Sequence, residues 1–218
     1  MQGEKNMQLK LKQETEQTST KFFNPDEAAW VVQAQQGDSA SFTNIVWAYQ
    51  NPIYNLCYRM LGNSAEAEDA TQEVFIRAYF KLHSYDSNRK FSSWLFSIAS
   101  HYCIDTLRKR RIKSISWEDL PPWRWLPADS EAQPESVLLT DEANREVHAL
   151  LNTLPPDYRA AIILRYWHNM PYEEIAKSLD TTVSAIKSRL FRARKMLANS
   201  ARKNHSQVSL MNNMAFAK

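Results

Sequence analysis

Of the four carboxylates in residues 63–82, NSAEAEDATQEVFIRAYFKL, three, Glu66, Asp69 and Glu73, stand at helical spacing. Carboxylates at i, i+3 and i+7 share a helix face and are donors of the kind that hold di-metal centres in helical bundles. Such a centre needs a Glu-x-x-His on a facing helix. The only candidate, Arg145-Glu146-Val147-His148, lacks that spacing. The acids are therefore read as an outer face, shared with Ile76 and Phe80, while Ala67, Ala70, Val74, Ala78 and Leu82 form the inward stripe. Acids beside apolar groups on an outer face suit a protein partner with a basic, partly greasy surface. A plain solvated face is the competing reading.

A second stretch has the opposite sign. SLDTTVSAIKSRLFRARKML, residues 178–197, gains five basic residues after Asp180 and no further acid. On a helical wheel Val183, Ile186, Leu190, Ala193 and Leu197 make a buried stripe. Ser184, Ser188, Arg192 and Lys195 fall opposite, flanked by Lys187 and Phe191. The preceding PYEEIAKSL reads as a short helix opened by Pro171, and Asp180-Thr181-Thr182 as the turn between the two. Two short helices joined this way make a helix-turn-helix, with small residues leading the second helix toward a groove floor. Hydroxyls and lysine there reach bases or phosphates, and the arginines beyond neutralise the backbone. An ordinary antiparallel helix pair with a basic outside is the bland alternative.

A third stretch, FSSWLFSIASHYCIDTLRKRRIK from Phe91, mixes aromatics with a basic end. Trp94, Leu95, Ile98 and Tyr102 are spaced like core. Ser93, Ser97, His101 and Arg108 form a more polar track beside them, and HSYDSNRK, residues 83–90, precedes them as a polar loop. Stacking surfaces mixed with cations and hydroxyls are what hold single-stranded nucleic acid.

The elements that position these groups are helices. The chain has 218 residues, 44% of them hydrophobic, three glycines and a net charge of +3. So few glycines argue against many tight β-turns, and no strand alternation or internal repeat is evident. Asn24-Pro25-Asp26-Glu27 signals a helix start, with helix ends expected near Gly37 and Gly62 and a break or kink at Pro52. Asn63 or Ser64 opens the acidic helix, and the aromatic helix is expected to run to about Arg111. PPWRWLPADSEAQP holds four prolines in fourteen residues and cannot be a helix interior. The expected organisation is a disordered extension over 1–23, a helical domain over 24–111, a linker over 112–135, a second helical domain over 136–200 and a loose tail over 201–218. Cys57 and Cys103 read as core residues of a reduced compartment, with neither disulfide framework nor zinc spacing. With no apolar run long enough for a membrane span and no signal peptide, the cytoplasm is expected.

In combination and order, AEDATQEVFIRAY, FSSWLFSIASHYCIDTLRKRR, the Pro-rich segment and LPPDYRAAIILRYWHNMPYEEIAKSLDTTVSAIKSRLFRARKML resemble a bacterial sigma factor. The match is to the extracytoplasmic-function (ECF) class of the sigma-70 family, over about 26–110 and 136–198. The resemblance implies an all-α protein of two helical domains, sigma region 2 and sigma region 4, with no catalytic residue, cofactor or metal. It implies core RNA polymerase as partner, held at its β′ clamp helices by Asp69, Gln72, Glu73, Ile76 and Phe80 and at its β flap by region 4. It implies promoter DNA as the other partner. Ser84, Asn88, Arg89, Lys90, Ser93, Ser97, His101 and Arg108 match the segments that open the −10 element and hold its single strand. Thr182, Ser184, Lys187, Ser188, Phe191, Arg192 and Lys195 match those that read the −35 duplex. An anti-sigma factor is implied by family habit. His101 stands where many relatives have Asn, and Asp180 where many helix-turn-helix proteins have Gly. A freestanding helix-turn-helix regulator is the alternative function; it needs no aromatic basic helix.

Overall fold

The computed structural model describes the backbone of residues 26–115 and 138–215, with side chains over 26–110 and 145–201. The expected N-terminal extension and most of the expected linker, with Trp117, Trp123 and Trp125, lie outside the described residues. All regular elements among the described residues are helical, as expected. They are α1 Glu27–Gln35, α2 Ser39–Leu61, α3 Ser64–Lys81, a 3₁₀ turn Leu82–Ser84, α4 Phe91–Ile115, α5 Leu138–Asn152, α6 Pro156–Tyr166, α7 Tyr172–Ser178 and α8 Val183–Ala215.

Local chemistry sets most boundaries. Asp38 caps α2 by accepting from the amides of Ala40 and Ser41, and Asn63 caps α3 by accepting from Glu66 N. Gly62 ends α2 at φ 78°, a left-handed position that costs a side-chain-bearing residue strain. Asp180 adopts φ 45° in the turn between α7 and α8, so an aspartate fills the place a glycine often takes. Four boundaries depart from expectation, the first being α4, which runs on to Ile115 and so takes in the start of the linker expected from 112. α1 starts at Glu27 behind Asp26, which makes no side-chain cap; Glu27 instead receives the Tyr49 hydroxyl from α2. α2 is not divided at Pro52: one helix spans the site, because Tyr49, Pro52, Ile53 and Leu56 are all buried, and that packing outweighs the missing backbone hydrogen bond. α8 continues to Ala215, well past the expected tail boundary at 201, since no glycine or proline follows Leu197 to stop it.

α1–α4 form the first module, with α2 against α1, α3 and α4, and α3 against α4. α6, α7 and α8 form the second, with α5 against α8. The two are not set apart. α4 packs on α6 and α7, α2 packs on α5 and α6, and one continuous apolar core runs from Val31 to Ala193. The inward stripe expected for α3 is buried throughout. Cys57 and Cys103 are buried free thiols that hydrogen-bond to each other between α2 and α4, which with burial pushes the Cys103 thiol well up.

Arg159 of α6 fastens the junction. It is 6% exposed and donates to Met60 O at 2.5 Å, to Asn152 Oδ1 at 2.9 Å, and to the Asn152 and Leu154 carbonyls at 3.3 Å each. The Met60 carbonyl lies in the last turn of α2, where helix carbonyls lack intrahelical partners. Arg159→Ala removes every one of these donors and leaves a void. Equilibrium urea unfolding is expected to show a loss of about 2–4 kcal/mol; a loss under about 0.5 kcal/mol would mean the junction contributes little.

Candidate protein and nucleic-acid interfaces

Helix α3 presents its outer face as read. Asp69 and Gln72 are exposed, Ile76 and Phe80 are 51% and 70% exposed, and Glu73 is half-buried. Steps of three, four and four along a helix keep positions 69, 72, 76 and 80 in line. The three acids do not act as a cluster. Glu66 pairs with Arg110 of α4, and Glu73 with Arg77 one turn on at 2.7 Å. Asp69 is left as the outward acid of the stripe. Sequence reasoning missed Trp47 of α2, which is 73% exposed. Its place in an otherwise apolar-periodic helix gave no signal. Among the described residues no three His, Cys, Asp or Glu side chains are grouped as a metal site, and no helix is long and apolar enough to cross a membrane.

The second helix of the helix-turn-helix is equally direct. Ile186, Leu190 and Ala193 are buried, with Val183 and Leu197 partly so. Ser184, Lys187, Ser188, Phe191, Arg192 and Lys195 all face solvent, and Phe191 is 64% exposed. Thr182 is exposed too, but its hydroxyl accepts from Ala185 N at 3.2 Å and caps α8. The turn is closed by Thr181 N donating to Ala176 O at 2.9 Å. The exposed face thus offers two hydroxyls, an aromatic ring and three cations with no acid among them, a surface suited to a groove lined by phosphates.

The loop and α4 behave differently. Ser84 donates to Lys81 O, Asn88 bonds Asp86, and the Arg89 carbonyl accepts from the Tyr85 hydroxyl. Ser97 returns its hydroxyl to Trp94 O at 2.8 Å, and the Ser97 carbonyl meets His101 Nδ1 at 2.8 Å. Phe91, Trp94, Phe96 and Tyr85 are buried, so these rings are packing. The polar track of α4 is brought together, but against the second module. Lys90 Nζ lies 2.7 Å from Glu174 Oε1, and Ser93 Oγ donates to Glu174 Oε2 at 2.6 Å. Ser178 Oγ donates to Ser93 O at 3.1 Å. His101 Nε2 stands 3.4 Å from Asp180, and Arg108 Nη2 contacts both Asp157 oxygens at 3.1 Å. Glu174, Asp157 and Asp180 were not singled out as partners, and no local signal marks them: their partners in the first module lie 49 to 84 positions away in the chain.

Two histidines of the second module meet rings of the first. His148 is edge-on to Tyr58 at 4.3 Å, and His168 is tilted on Phe96 at 4.2 Å. Neither ring nitrogen of His168 has a hydrogen-bond partner. Burial, with Arg59 nearby, drives His168 down to about 3, and burial with Arg59 and Arg159 lowers His148 as well.

The comparisons agree with this two-part layout. Sigma-70 region 2 matches residues 45–112, and Sigma-70, region 4 matches residues 144–197. The chain is 38% identical over 178 residues to the ECF RNA polymerase sigma factor SigW of Bacillus subtilis, covering 79% of this chain and 95% of that one. It is 32% identical over 174 residues to the ECF RNA polymerase sigma-E factor of Escherichia coli K12, covering 78% and 91%. Among solved structures, RpoE of Bartonella quintana, determined with the anti-sigma factor NepR, aligns with a TM-score of 0.56 at 25% identity, covering 74% of this chain and 96% of that one. The CnrH structure, in complex with the cytosolic domain of CnrY, shares the fold at a TM-score of 0.60 and 21% identity, covering 81% and 97%. The chain belongs to the ECF class of the sigma-70 family of RNA polymerase sigma factors.

The His168 environment makes stability depend on pH. Its folded value of about 3 lies below the ordinary 6.5, so the unfolded chain binds one more proton between those limits. The His168 contribution is complete above pH 6.5 and falls toward pH 3, by about 1.4 kcal/mol per unit for one proton. Urea titrations between pH 7 and pH 5 are expected to show this slope, and His168→Phe to flatten it. An equal slope in the variant would refute the assignment to His168.

Proposed function

We propose that this chain binds core RNA polymerase through the outer face of α3 and carries it to promoters read by two separate surfaces. Asp69, Gln72, Glu73, Ile76 and Phe80 engage the β′ clamp helices. The loop over Ser84–Lys90 and the polar track Ser93, Ser97, His101 and Arg108 open the −10 element and hold its unpaired strand. Ser184, Lys187, Ser188, Phe191, Arg192 and Lys195 read the −35 duplex, with Thr182 holding the helix that presents them. Region 4 also rests on the β flap. The observation that carries the reading is the pairing of an exposed acidic-apolar stripe on α3 with an acid-free basic face on α8, in one chain and in this order.

The chain acts by binding rather than by catalysis. Phosphate neutralisation supplies affinity, a few base contacts supply choice, and captured bases offset the cost of unpairing. It works in the cytoplasm, where polymerase and promoter are. An anti-sigma partner belongs to this reading, supported by the RpoE–NepR structure of a relative. A freestanding regulator would bind duplex without polymerase and would have no use for the α3 stripe.

Asp69→Lys tests the polymerase face. Co-purification with core polymerase and run-off transcription are both expected to fall at least tenfold, on the order of a charge pair across an interface, while helical content stays unchanged. Normal recovery of the variant with core enzyme would remove Asp69 from the interface. Arg192→Ala tests the −35 face. The slope of log affinity against log salt for promoter duplex, measured with holoenzyme, is expected to shrink by about one unit. An unchanged slope would show that Arg192 does not neutralise a phosphate.

A further inference from the structure

Helix α1 contributes to none of the polymerase or DNA faces. It is nine residues long, and its last residue, Gln35, reaches the loop that leads into α4. The Gln35 side-chain amide, Nε2, donates to Leu82 O at 3.0 Å and to Tyr85 O at 3.1 Å. An NH2 group has two protons, and both are used on the loop. The two carbonyls bracket the 3₁₀ turn Leu82–Ser84, across which Tyr85 N donates to Leu82 O at 3.0 Å. Tyr85 is held again through its side chain. Its ring meets Phe91 at 5.4 Å and Trp94 at 5.1 Å, and its hydroxyl donates to Arg89 O. Behind Phe91, Tyr49 stands edge-on at 5.7 Å and donates its hydroxyl to Glu27 in the first turn of α1. One end of α1 thus holds the loop directly, and the other end holds it through Tyr49 and Phe91. Leu82 and Tyr85 are buried, while Asp86, Ser87 and Asn88 beyond them stand exposed.

We propose that α1 sets the −10 loop in its strand-binding shape before DNA arrives, with Gln35 as the positioning residue. This rests on the sigma-factor reading given above and adds to it a residue outside every surface assigned to DNA or polymerase. The physical reason is entropic. A free loop has to be ordered by the strand it binds, and that ordering is subtracted from affinity. Two hydrogen bonds from a neighbouring helix fix the backbone at Leu82 and Tyr85 in advance. Ser84, Asn88, Arg89 and Lys90 are then presented from a fixed frame. Removing the amide frees the entry of the loop and leaves the caps of α2 and α3 and the packing of Phe91 in place. The α3 stripe and the α8 face are made by other helices, so the loss falls on one of the three binding functions.

The test uses the full-length chain, alone and as holoenzyme with core polymerase, on a promoter at which the unaltered chain initiates. Gln35→Leu keeps the size of the side chain and loses both donors. Gln35→Glu keeps its shape and sets a carboxylate against the two carbonyls. Gln36→Leu makes the same apolar change one position on, at an exposed residue. Promoter opening is read as permanganate reactivity of unpaired thymines. Gln35→Leu is expected to lower it about fivefold, on the order of one net hydrogen bond, and Gln35→Glu at least as much. Recovery with core polymerase, affinity for −35 duplex and helical content are expected to change less than about twofold. Gln36→Leu is expected to leave every reading where it was. In the free chain, amide hydrogen exchange over 82–90 is expected to quicken in both Gln35 variants while α3 and α4 stay protected. Unchanged exchange over the loop, unchanged opening, or a fall in core recovery equal to the fall in opening would overturn the positioning role. The unaltered chain separates the two readings. If it initiates and the Gln35 variants open promoters as well, the positioning role alone is rejected. If it initiates at no start point, the sigma-factor reading is rejected and the role of Gln35 with it.

Discussion

Helix α4 needs both modules to bury it. From Phe91 to Ile104 nearly every residue is buried or half-buried, and a helix apolar on most sides has to be covered on most sides. The first module covers the side bearing Leu95, Ala99 and Cys103, the last of these against Cys57 of α2. The other side, with Ser93 and Phe96, is left to α6, α7 and the turn that follows α6. The rest of the arrangement follows from that demand. Arg159 reaches across to α2, His148 and His168 find rings of the first module, and Arg59 lies over Trp167 at 5.1 Å.

The contacts between the modules are of two kinds, with different consequences. Apolar burial and the Arg159 hydrogen bonds are shielded from solvent, and salt changes them little. The carboxylate contacts to Lys90, His101 and Arg108 are partly open to water, where each is worth little and is screened by salt. One set gives the closed arrangement its strength and the other gives it responsiveness.

Much of this was legible in the sequence, because helix periodicity and capping act over a few residues. The inward stripe of α3, the caps at Asn63 and Gly62, the exposed basic face of α8 and the left-handed Asp180 all follow from local chemistry. Of the break or kink read at Pro52, the break does not occur, since burial around the proline outweighs the missing backbone bond. Asn24-Pro25 pointed to a start that the structure puts at Glu27. The polar track of α4 was recognised as a unit, but its surroundings were not. Whether Ser93 faces water or Glu174 depends on contacts more than eighty positions apart, which no local pattern encodes. Trp47 was missed for a related reason: a tryptophan in an apolar run reads as core, and only the assembled bundle shows it pointing outward.

The thiol pair has a practical corollary. Cys57 and Cys103 are the chain's entire thiol content, both lie within the first module, and neither reaches the surface. Alkylating reagents therefore find them only when α2 and α4 part. The rate of thiol capture is a clock for the breathing of region 2.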